Sequence, residues 1–345
     1  MYQESEVATA RSHVKPVTWD HPNRFISIIS DPLYRLLIKL QHRTSISTFA
    51  FWEKKHCQTL HLPITTNAVS SPMGLGSDSL PVSVDLFGQP TYLADSMQFM
   101  LEYGCRFNEA GCFYLMPSFR GEDTDTTHLS QFYHSEVELQ GDLVDAMDVA
   151  DEYFRHVVRD VLSHCRSDLE QLVGTCEHLD AVLAIETYPR ITFEQADSIL
   201  GHNPEHIKDN GKWRTLTRPG ELALIQHFQS PLWVTHWDHL SVPFYQAYAD
   251  EDGYTACNAD FLLGFGEVIG LGERHESEAE VRRALAQHDV AADPYQWYLD
   301  MKKHYPMKTA GFGMGVERFL LWVLDHGDIR DLQLLPRANG RNIIP

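Results

Sequence analysis

Two arginine-bearing segments almost two hundred residues apart hold the side chains best suited to chemistry. The first reads Phe119-Arg120-Gly121-Glu122 and runs on through His128 to Phe132; the second is Gly311-Phe312-Gly313-Met314-Gly315-Val316-Glu317-Arg318. A guanidinium matches a phosphate in two places, and a histidine across a mobile loop can reach the far end of a triphosphate. Glycine at alternate positions of a strand leaves one face bare, so a flat group can lie on backbone while the terminal arginine covers it. Together these features describe a nucleotide platform. Each segment alone also fits a plainer structure: a surface hairpin with ordinary ion pairs, or a bulge and close helix packing.

Asp260 and Glu267 lie on the stretch Asp-Phe-Leu-Leu-Gly-Phe-Gly-Glu, which bends at its glycines and can bring both carboxylates to one place. Hard oxygen ligands of this kind suit Mg²⁺ shared with a triphosphate; two unrelated acids on a strand and its turn are the plainer reading. His236 and His239 offer a possible metal pair on adjacent helical positions, without a third ligand. The six cysteines include no Cys-x-x-Cys pair, so neither a zinc knuckle nor a disulfide framework is indicated.

The elements that must position these residues follow from periodicity. The first thirty residues contain Pro16, Pro22 and little pattern, which reads as an arm before a single domain from residue 31 to 345. A helix is expected from Pro32 to about Phe51, then a strand ending at Leu62-Pro63-Ile64-Thr65. Short strands are expected at Val82 to Leu86 and Pro90 to Leu93, and a helix start at Ser96-Met97-Gln98. Phe132 to Glu138 alternates as the return strand of a hairpin, Asp145 to Cys165 has helical spacing, and Ile191 to Leu200 reads as another helix. The expected fold is α/β, in the α+β sense: an antiparallel sheet flanked by helices. No Gly-x-Gly-x-x-Gly follows an early strand, so a parallel nucleotide fold is not expected.

In this order the two segments resemble motifs 2 and 3 of the class II aminoacyl-tRNA synthetases. The likeness extends through Pro294-Tyr-Gln-Trp297-Tyr298 to Asp328-Ile-Arg330-Asp331 and Leu335-Pro336-Arg337, and is similar to asparaginyl-tRNA synthetases of the archaeal and eukaryotic type. It covers roughly residues 30 to 345, and the helix and strand after Pro32 resemble the dimer-forming motif 1. The resemblance implies a homodimer using ATP as substrate, with Mg²⁺ on Asp260 and Glu267. Arg120 would hold the α-phosphate, His128 the γ-phosphate, and Arg318 would cover adenine and reach the γ-phosphate. Glu122 would meet the adenine edge or the amino-acid side, with Phe132, Glu267 and Gly315 completing the ATP site. Ser96 and Gln98 would hold the α-amino end and Arg274 the side-chain oxygen of asparagine or aspartate. His134 and Glu136 would read the amide: Leu101 stands where aspartyl enzymes carry lysine, and Glu136 would accept from an amide NH₂ and repel a carboxylate.

Other features point away from the family's usual acceptor. Acidic residues outnumber basic ones 48 to 28, for a net charge of −20, which argues against tRNA, since phosphate contacts by Lys and Arg supply most nucleic-acid affinity. Nothing before residue 30 could form the small anticodon-reading barrel of this subclass. The motif 2 loop is a residue shorter and has Thr127 where an arginine is expected, and Lys308-Thr309-Ala310 replaces a histidine-glycine element. No signal or membrane span is read, so a cytoplasmic location is expected. The expected activity is formation of an asparaginyl- or aspartyl-adenylate with transfer to a non-tRNA acceptor, such as ammonia, a small amine or a carrier thiol. A minimal asparagine-tRNA ligase and a non-catalytic sensor of amino acid or ATP are the alternatives.

Overall fold

The structure, a computed structural model, describes residues 16–70 and 80–343. Its elements begin α1 (Arg24–Ser27), α2 (Pro32–Lys54), β1 (Gln58–Thr59), β2 (Thr65–Thr66), β3 (Val82–Leu86), β4 (Gln89–Leu93) and α3 (Gln98–Cys105). The hairpin β5 (Cys112–Phe119) and β6 (Gln131–Gln140) follows, then α4 (Leu143–Val173), α5 (Glu177–Ala184), β7 (Arg190–Thr192) and α6 (Phe193–Ile199). Next come β8 (Ile207–Asp209), β9 (Arg214–Leu216), α7 (Arg218–Phe228), β10 (Leu232–Thr235), β11 (Asn258–Leu263) and β12 (Gly266–Glu273). The last are α8 (Glu278–Gln287), α9 (Gln296–His304), β13 (Thr309–Gly315) and α10 (Val316–Val323).

The main sheet has eight strands in the order β1-β5-β6-β13-β12-β11-β10-β7. All neighbours are antiparallel except the two edge pairs, β1 with β5 and β10 with β7. Helix α2 begins because Asp31 accepts from the Leu33 amide at 2.9 Å and Pro32 pre-sets the first turn. Helix α4 has a capping box between Asp142 and Asp145 and stops at left-handed Gly174. Its Ala146, Ala150, Tyr153, Val157 and Val161 recur at helical spacing and are buried in the main core with Leu37 and Trp52 of α2 and Phe312 of β13. Burial of each larger apolar side chain there contributes about 1.5–3 kcal/mol before conformational entropy is subtracted. Tyr153 ties three elements together: its hydroxyl lies 2.8 Å from both Thr48 of α2 and Ser135 of β6.

Because side chains alternate across a strand, the residues not facing this core face the other side of the sheet. On β6, Ser135 and Val137 face α4, so His134, Glu136 and Glu138 face away. On β13, Ala310, Phe312 and Met314 lie in the core, leaving Gly311, Gly313 and Gly315 on the far face.

Several expectations need adjustment. Helix α4 runs from residue 143 to 173, beyond the expected end at Cys165, and the helix expected from Ile191 begins two residues later because 190–192 forms β7 beside β10. No continuous strand ends at Thr65: β1 pairs with β5, whereas β2 joins a separate sheet with β4 and β3. Pro63 between them carries no amide hydrogen for a ladder. The helix expected from Ser96 starts at Gln98. Of the expected arm, residues 1–15 lie outside the described residues. The rest docks on the C-terminal segment, where buried Arg24 donates to Tyr34 at 2.7 Å and to the Gln333 carbonyl at 2.5 Å, and Trp19 stacks under Arg330. Among the described residues no helix is long and apolar enough to cross a membrane.

Candidate active site

Four glycines in the middle of the sheet form a floor. Gly270 pairs with Gly313 and Gly272 with Gly311 across β12 and β13. Outward from them, Gly270 pairs with Asp260 and Gly272 with Asn258, while Gly313 pairs with Glu136 and Gly311 with Glu138. Glu136, Glu138 and Asp260 each lean over the glycine they face, and Gln246 from a loop covers Gly272. A Cβ on Gly313 would stand 3.2 Å from Glu136 Oε1; one on Gly311 would collide with the Glu138 carboxylate, and one on Gly272 with Gln246. This modifies the expected nucleotide platform: the bare places at 311 and 313 hold carboxylate side chains. Only at Gly315 would a Cβ meet nothing closer than the Arg318 stem, at 3.7 Å.

Above this floor lies a cavity of about 330 Å³ lined by Ser96, Gln98, Arg120, His134, Glu136, Asp260, Glu267 and Arg274. A second, of about 620 Å³, is lined by Arg120, Glu122, His128, Phe132, Glu267, Gly315 and Arg318. Arg120, His134, Glu267 and Gly313 border both, so the two spaces adjoin. Every residue expected in the ATP, amino-acid or Mg²⁺ site lines one or the other, whereas His236 and His239 line neither.

In the smaller cavity nearly every polar group already has a partner. Arg274 is buried at the end of β12, its Nε 3.1 Å and its Nη2 3.1 Å from the Glu138 carboxylate, with Nη1 donating to Gln246 Oε1 at 3.0 Å. Burial pushes Glu138 up to about 7 against the pull of Arg274. Glu136 accepts from Ser96 Oγ at 2.6 Å and from the Tyr114 hydroxyl, and its Oε1 lies 2.9 Å from His134 Nδ1. Burial opposes its charge, but His134 and these hydrogen bonds hold its carboxyl below the ordinary value, so it is ionised. Two buried nitrogens on the lining of this cavity lack a partner among the described residues, the Nε of Arg120 and the amide Nε2 of Gln98. That amide needs an acceptor in the cavity.

The larger cavity is looser. Arg120 projects from the end of β5 over the Phe132 ring, 5.4 Å from its centroid, and its buried Nε has no partner among the described residues. Glu122 holds the Leu80 amide at 3.0 Å. His128 is half-exposed and is oriented by Asp125, which lies 2.9 Å from its Nδ1. Burial works against the Asp125 charge, yet contacts from His128 and the Thr127 amide hold its carboxyl well below the usual range. Arg318, in the first turn of α10, donates to the Glu267 carbonyl at 3.0 Å.

Asp260 and Glu267 meet across the β11–β12 turn, where Gly264 and Gly266 have positive φ. A Cβ on Gly270 would lie 3.0 Å from Glu267 Oε1 and 3.8 Å from Asp260 Oδ1, so both carboxylates converge over that bare backbone. Burial, then the charges of Glu267 and Glu221, raises Asp260 well above its ordinary value. The crowding calls for a cation, and this oxygen donor set fits Mg²⁺ carrying waters and phosphate oxygens. No cluster of three or more His, Cys, Asp or Glu side chains among the described residues forms a complete metal cage. His236 and His239 do not share a helix face: His236 has positive φ, and His239 is buried with its Nδ1 3.0 Å from His288 Nε2.

The sequence did not single out Gln246, which joins Arg274 from a loop, or Arg218 and Glu221, which enter the larger cavity from α7. The only local signal at 217–221, Thr-Arg-Pro-Gly-Glu, is that of a capped helix start.

The family described as tRNA synthetases class II (D, K and N) matches residues 18–339. An asparagine–tRNA ligase of Clostridium beijerinckii is 31% identical over 288 residues, covering 80% of this chain and 61% of that protein. The chain thus spans about three fifths of the length of that relative. The crystal structure of asparaginyl-tRNA synthetase from Pyrococcus horikoshii with asparaginyl-adenylate is similar at 25% identity and a TM-score of 0.83, covering 92% of this chain and 72% of that one. The Entamoeba histolytica asparaginyl enzyme, at 21% identity and a TM-score of 0.79, covers 93% of this chain and 71% of its own and shares the fold.

Proposed function

The chain belongs to the class II tRNA synthetases (D, K and N), and from that premise we propose that it is a ligase activating asparagine with ATP to asparaginyl-adenylate. The observation that carries the choice of amino acid is the charge balance of the smaller cavity. Arg274 is already engaged by Glu138 and Gln246, while Glu136 is held ionised on the cavity wall. With Arg120 assigned to the α-phosphate, an added side-chain carboxylate would meet the ionised Glu136 without a cation of its own, whereas an amide can give its NH₂ to Glu136 and its oxygen to Arg274. The bound asparaginyl-adenylate of the Pyrococcus relative supports the same reading.

In the proposed reaction an oxygen of the asparagine α-carboxylate attacks the α-phosphorus of ATP in line. The bond to the β-phosphate oxygen breaks, and pyrophosphate leaves. Gln98 orients the backbone end of the amino acid by donating from its buried Nε2, Arg120 neutralises charge on the α-phosphate, and His128 and Arg318 hold the far end of the triphosphate. Positioning and charge neutralisation carry the rate, without a covalent enzyme intermediate. Mg²⁺ held by Asp260 and Glu267 would supply further neutralisation of phosphate charge.

We read the acceptor as a small amine rather than tRNA, on the net charge of −20 and on Thr127 in the loop beside the larger cavity. Charging of tRNA is the alternative that the asparaginyl relatives favour. Exposed Phe25, Ile26, Ile29, Ile38, Ile46 and Phe49 on the α1–α2 region support a homodimer through this surface.

Exchange of pyrophosphate into ATP, run with asparagine and aspartate separately, tests the activation step. Exchange with asparagine, with Glu136→Gln relaxing its preference over aspartate, is the expected outcome. Exchange with aspartate alone would overturn the charge argument and make ammonia the acceptor to test. Incubation of the active protein with tRNA or with an amine panel, followed by mass spectrometry, then separates ester from amide products.

A further inference from the structure

Arg218 and Arg318 come from different elements yet end on neighbouring peptide units of one turn. Arg318 Nη1 donates to the Glu267 carbonyl at 3.0 Å. Arg218 reaches Gly266, the preceding residue, so closely that a Cβ there would collide with its Nη1. Arg218 is the first residue of α7, and Thr217 caps that helix by accepting from the Gly220 amide at 3.2 Å, which fixes the direction of the side chain's departure. Pro219 stiffens the same turn.

Among the described residues neither guanidinium has a close carboxylate partner. Arg218 approaches the Glu221 carboxylate at 3.4 Å and Arg318 the Glu267 carboxylate at 3.6 Å, both long for charge-assisted hydrogen bonds. Burial, then the nearby Arg318 charge, depresses Arg218 from its ordinary value, against the pull of Glu221 and Asp125. Two like charges converging on a cavity, each with a loose carboxylate partner, form a fork that an anion with several oxygens would close. Both line the 620 Å³ cavity, on the side of Glu267 and His128. This is where the far end of a triphosphate lies if Arg120, shared with the smaller cavity, is at the α-phosphate.

We propose that Arg218 is a further phosphate-binding residue, pairing with Arg318 to grip the β- and γ-phosphates of ATP and the pyrophosphate that leaves. This rests on the ATP-activating reading above. The α7 helix thereby connects the segment 190–231 to the reaction, because displacement of its first turn would withdraw one arm of the fork. A grip on pyrophosphate also predicts that Arg218 acts in both directions of the activation step, on ATP going forward and on pyrophosphate in reverse.

The test compares ligands that differ only in the phosphates Arg218 would meet. In the full chain, Arg218→Ala and the double variant Arg218→Gln/Glu221→Gln are titrated calorimetrically with Mg-ATP and with AMP, and assayed for exchange at varied pyrophosphate. The double variant removes the pair together and leaves no carboxylate without its partner. The expected result is ATP affinity weakened about tenfold, equivalent to about 1.4 kcal/mol, a similar rise in KM for pyrophosphate, unchanged AMP affinity, and partial recovery in Arg218→Lys. Equal losses for ATP and AMP, or an unchanged ATP affinity, would overturn the assignment while leaving ATP activation intact. A wild-type chain that binds no ATP would overturn both readings at once.

Discussion

The two adjoining cavities are built on opposite principles. In the smaller one, Arg274, Glu138 and Gln246 form one cluster and Glu136, His134 and Ser96 another, each side chain held by a neighbour beside a glycine floor. In the larger one, Arg120, Arg218 and Arg318 meet protein acids loosely or not at all among the described residues, and His128 is half-exposed. A small amino acid is recognised by shape and hydrogen-bond pattern, so its site must be rigid before the ligand arrives. A triphosphate brings its own charges, so cations left unpaired by the protein are the better preparation. Stability and recognition should therefore be coupled in the first cavity and separable in the second.

The sharpest way to break this contrast is Arg274→Met. Removing one partner of a buried ion pair leaves Glu138 uncompensated, and the expected loss is on the order of 3–5 kcal/mol in urea unfolding, together with amino-acid-dependent exchange. The double variant Arg274→Met/Glu138→Gln should recover most of that stability and none of the exchange. A single variant as stable as the wild type would show that the pair does not organise the cavity.

Arg318→Ala should behave in the opposite manner. Loss of a cation aimed at transition-state charge costs roughly 10²–10³ in rate, while unfolding changes little, because its contacts in the protein are the Glu267 carbonyl and a 3.6 Å approach to the carboxylate. If stability fell as far as in the Arg274 variant, the larger cavity would not be the loosely paired site described here.

A third consequence concerns acid. Behind Arg274, His239 is buried with its Nε2 2.8 Å from the Gln246 carbonyl, near Arg283, Asp250, His275 and His288. Burial lowers His239 to about 4 and His275 well below its ordinary value. The unfolded chain therefore binds protons that the folded one refuses, and stability is present above the unfolded pKa near 6.5 and falls as pH drops below it. For His239 alone the loss by pH 4 is on the order of 3 kcal/mol. Unfolding measured between pH 7 and 4 should show this slope, and His239→Gln should flatten it; an unchanged slope would remove the histidines from the account.

How much of this was legible in sequence follows the same division. Arg120 and Arg318 of the larger cavity lie in compact local patterns, 119–122 and 311–318, and the hairpin and glycine strand that carry them were readable from alternation alone. The partners within the smaller cavity were not. Glu138 clasps Arg274 only because β12, β13 and β6 are neighbours in a particular register, and a period-two pattern does not state which strand lies beside which. The glycines illustrate the limit: their spacing announced a bare face, but pairing decided that two of the bare places would hold carboxylates. Arg218 was hidden for another reason, since a capped helix start looks alike whether or not its first side chain enters a cavity.

The smallest effect is expected at His128, where the looser principle is most exposed. Asp125 accepts from the Thr127 amide at 2.7 Å and from the His128 amide at 2.8 Å, so the loop is shaped by backbone contacts that survive loss of the imidazole. His128→Ala should therefore leave unfolding within about 0.5 kcal/mol of wild type. An exposed side chain's contact with phosphate contributes about 1 kcal/mol or less, so KM for ATP should rise by less than tenfold. The KM for asparagine should not move. Asp125→Asn separates the two roles of this turn: it weakens the loop while keeping the imidazole, so a larger effect on ATP than that of His128→Ala would mean that loop order, rather than histidine charge, prepares this side of the cavity. A rise in the asparagine KM in either variant would show that the larger cavity is mechanically tied to the smaller one, and the contrast between them would no longer stand.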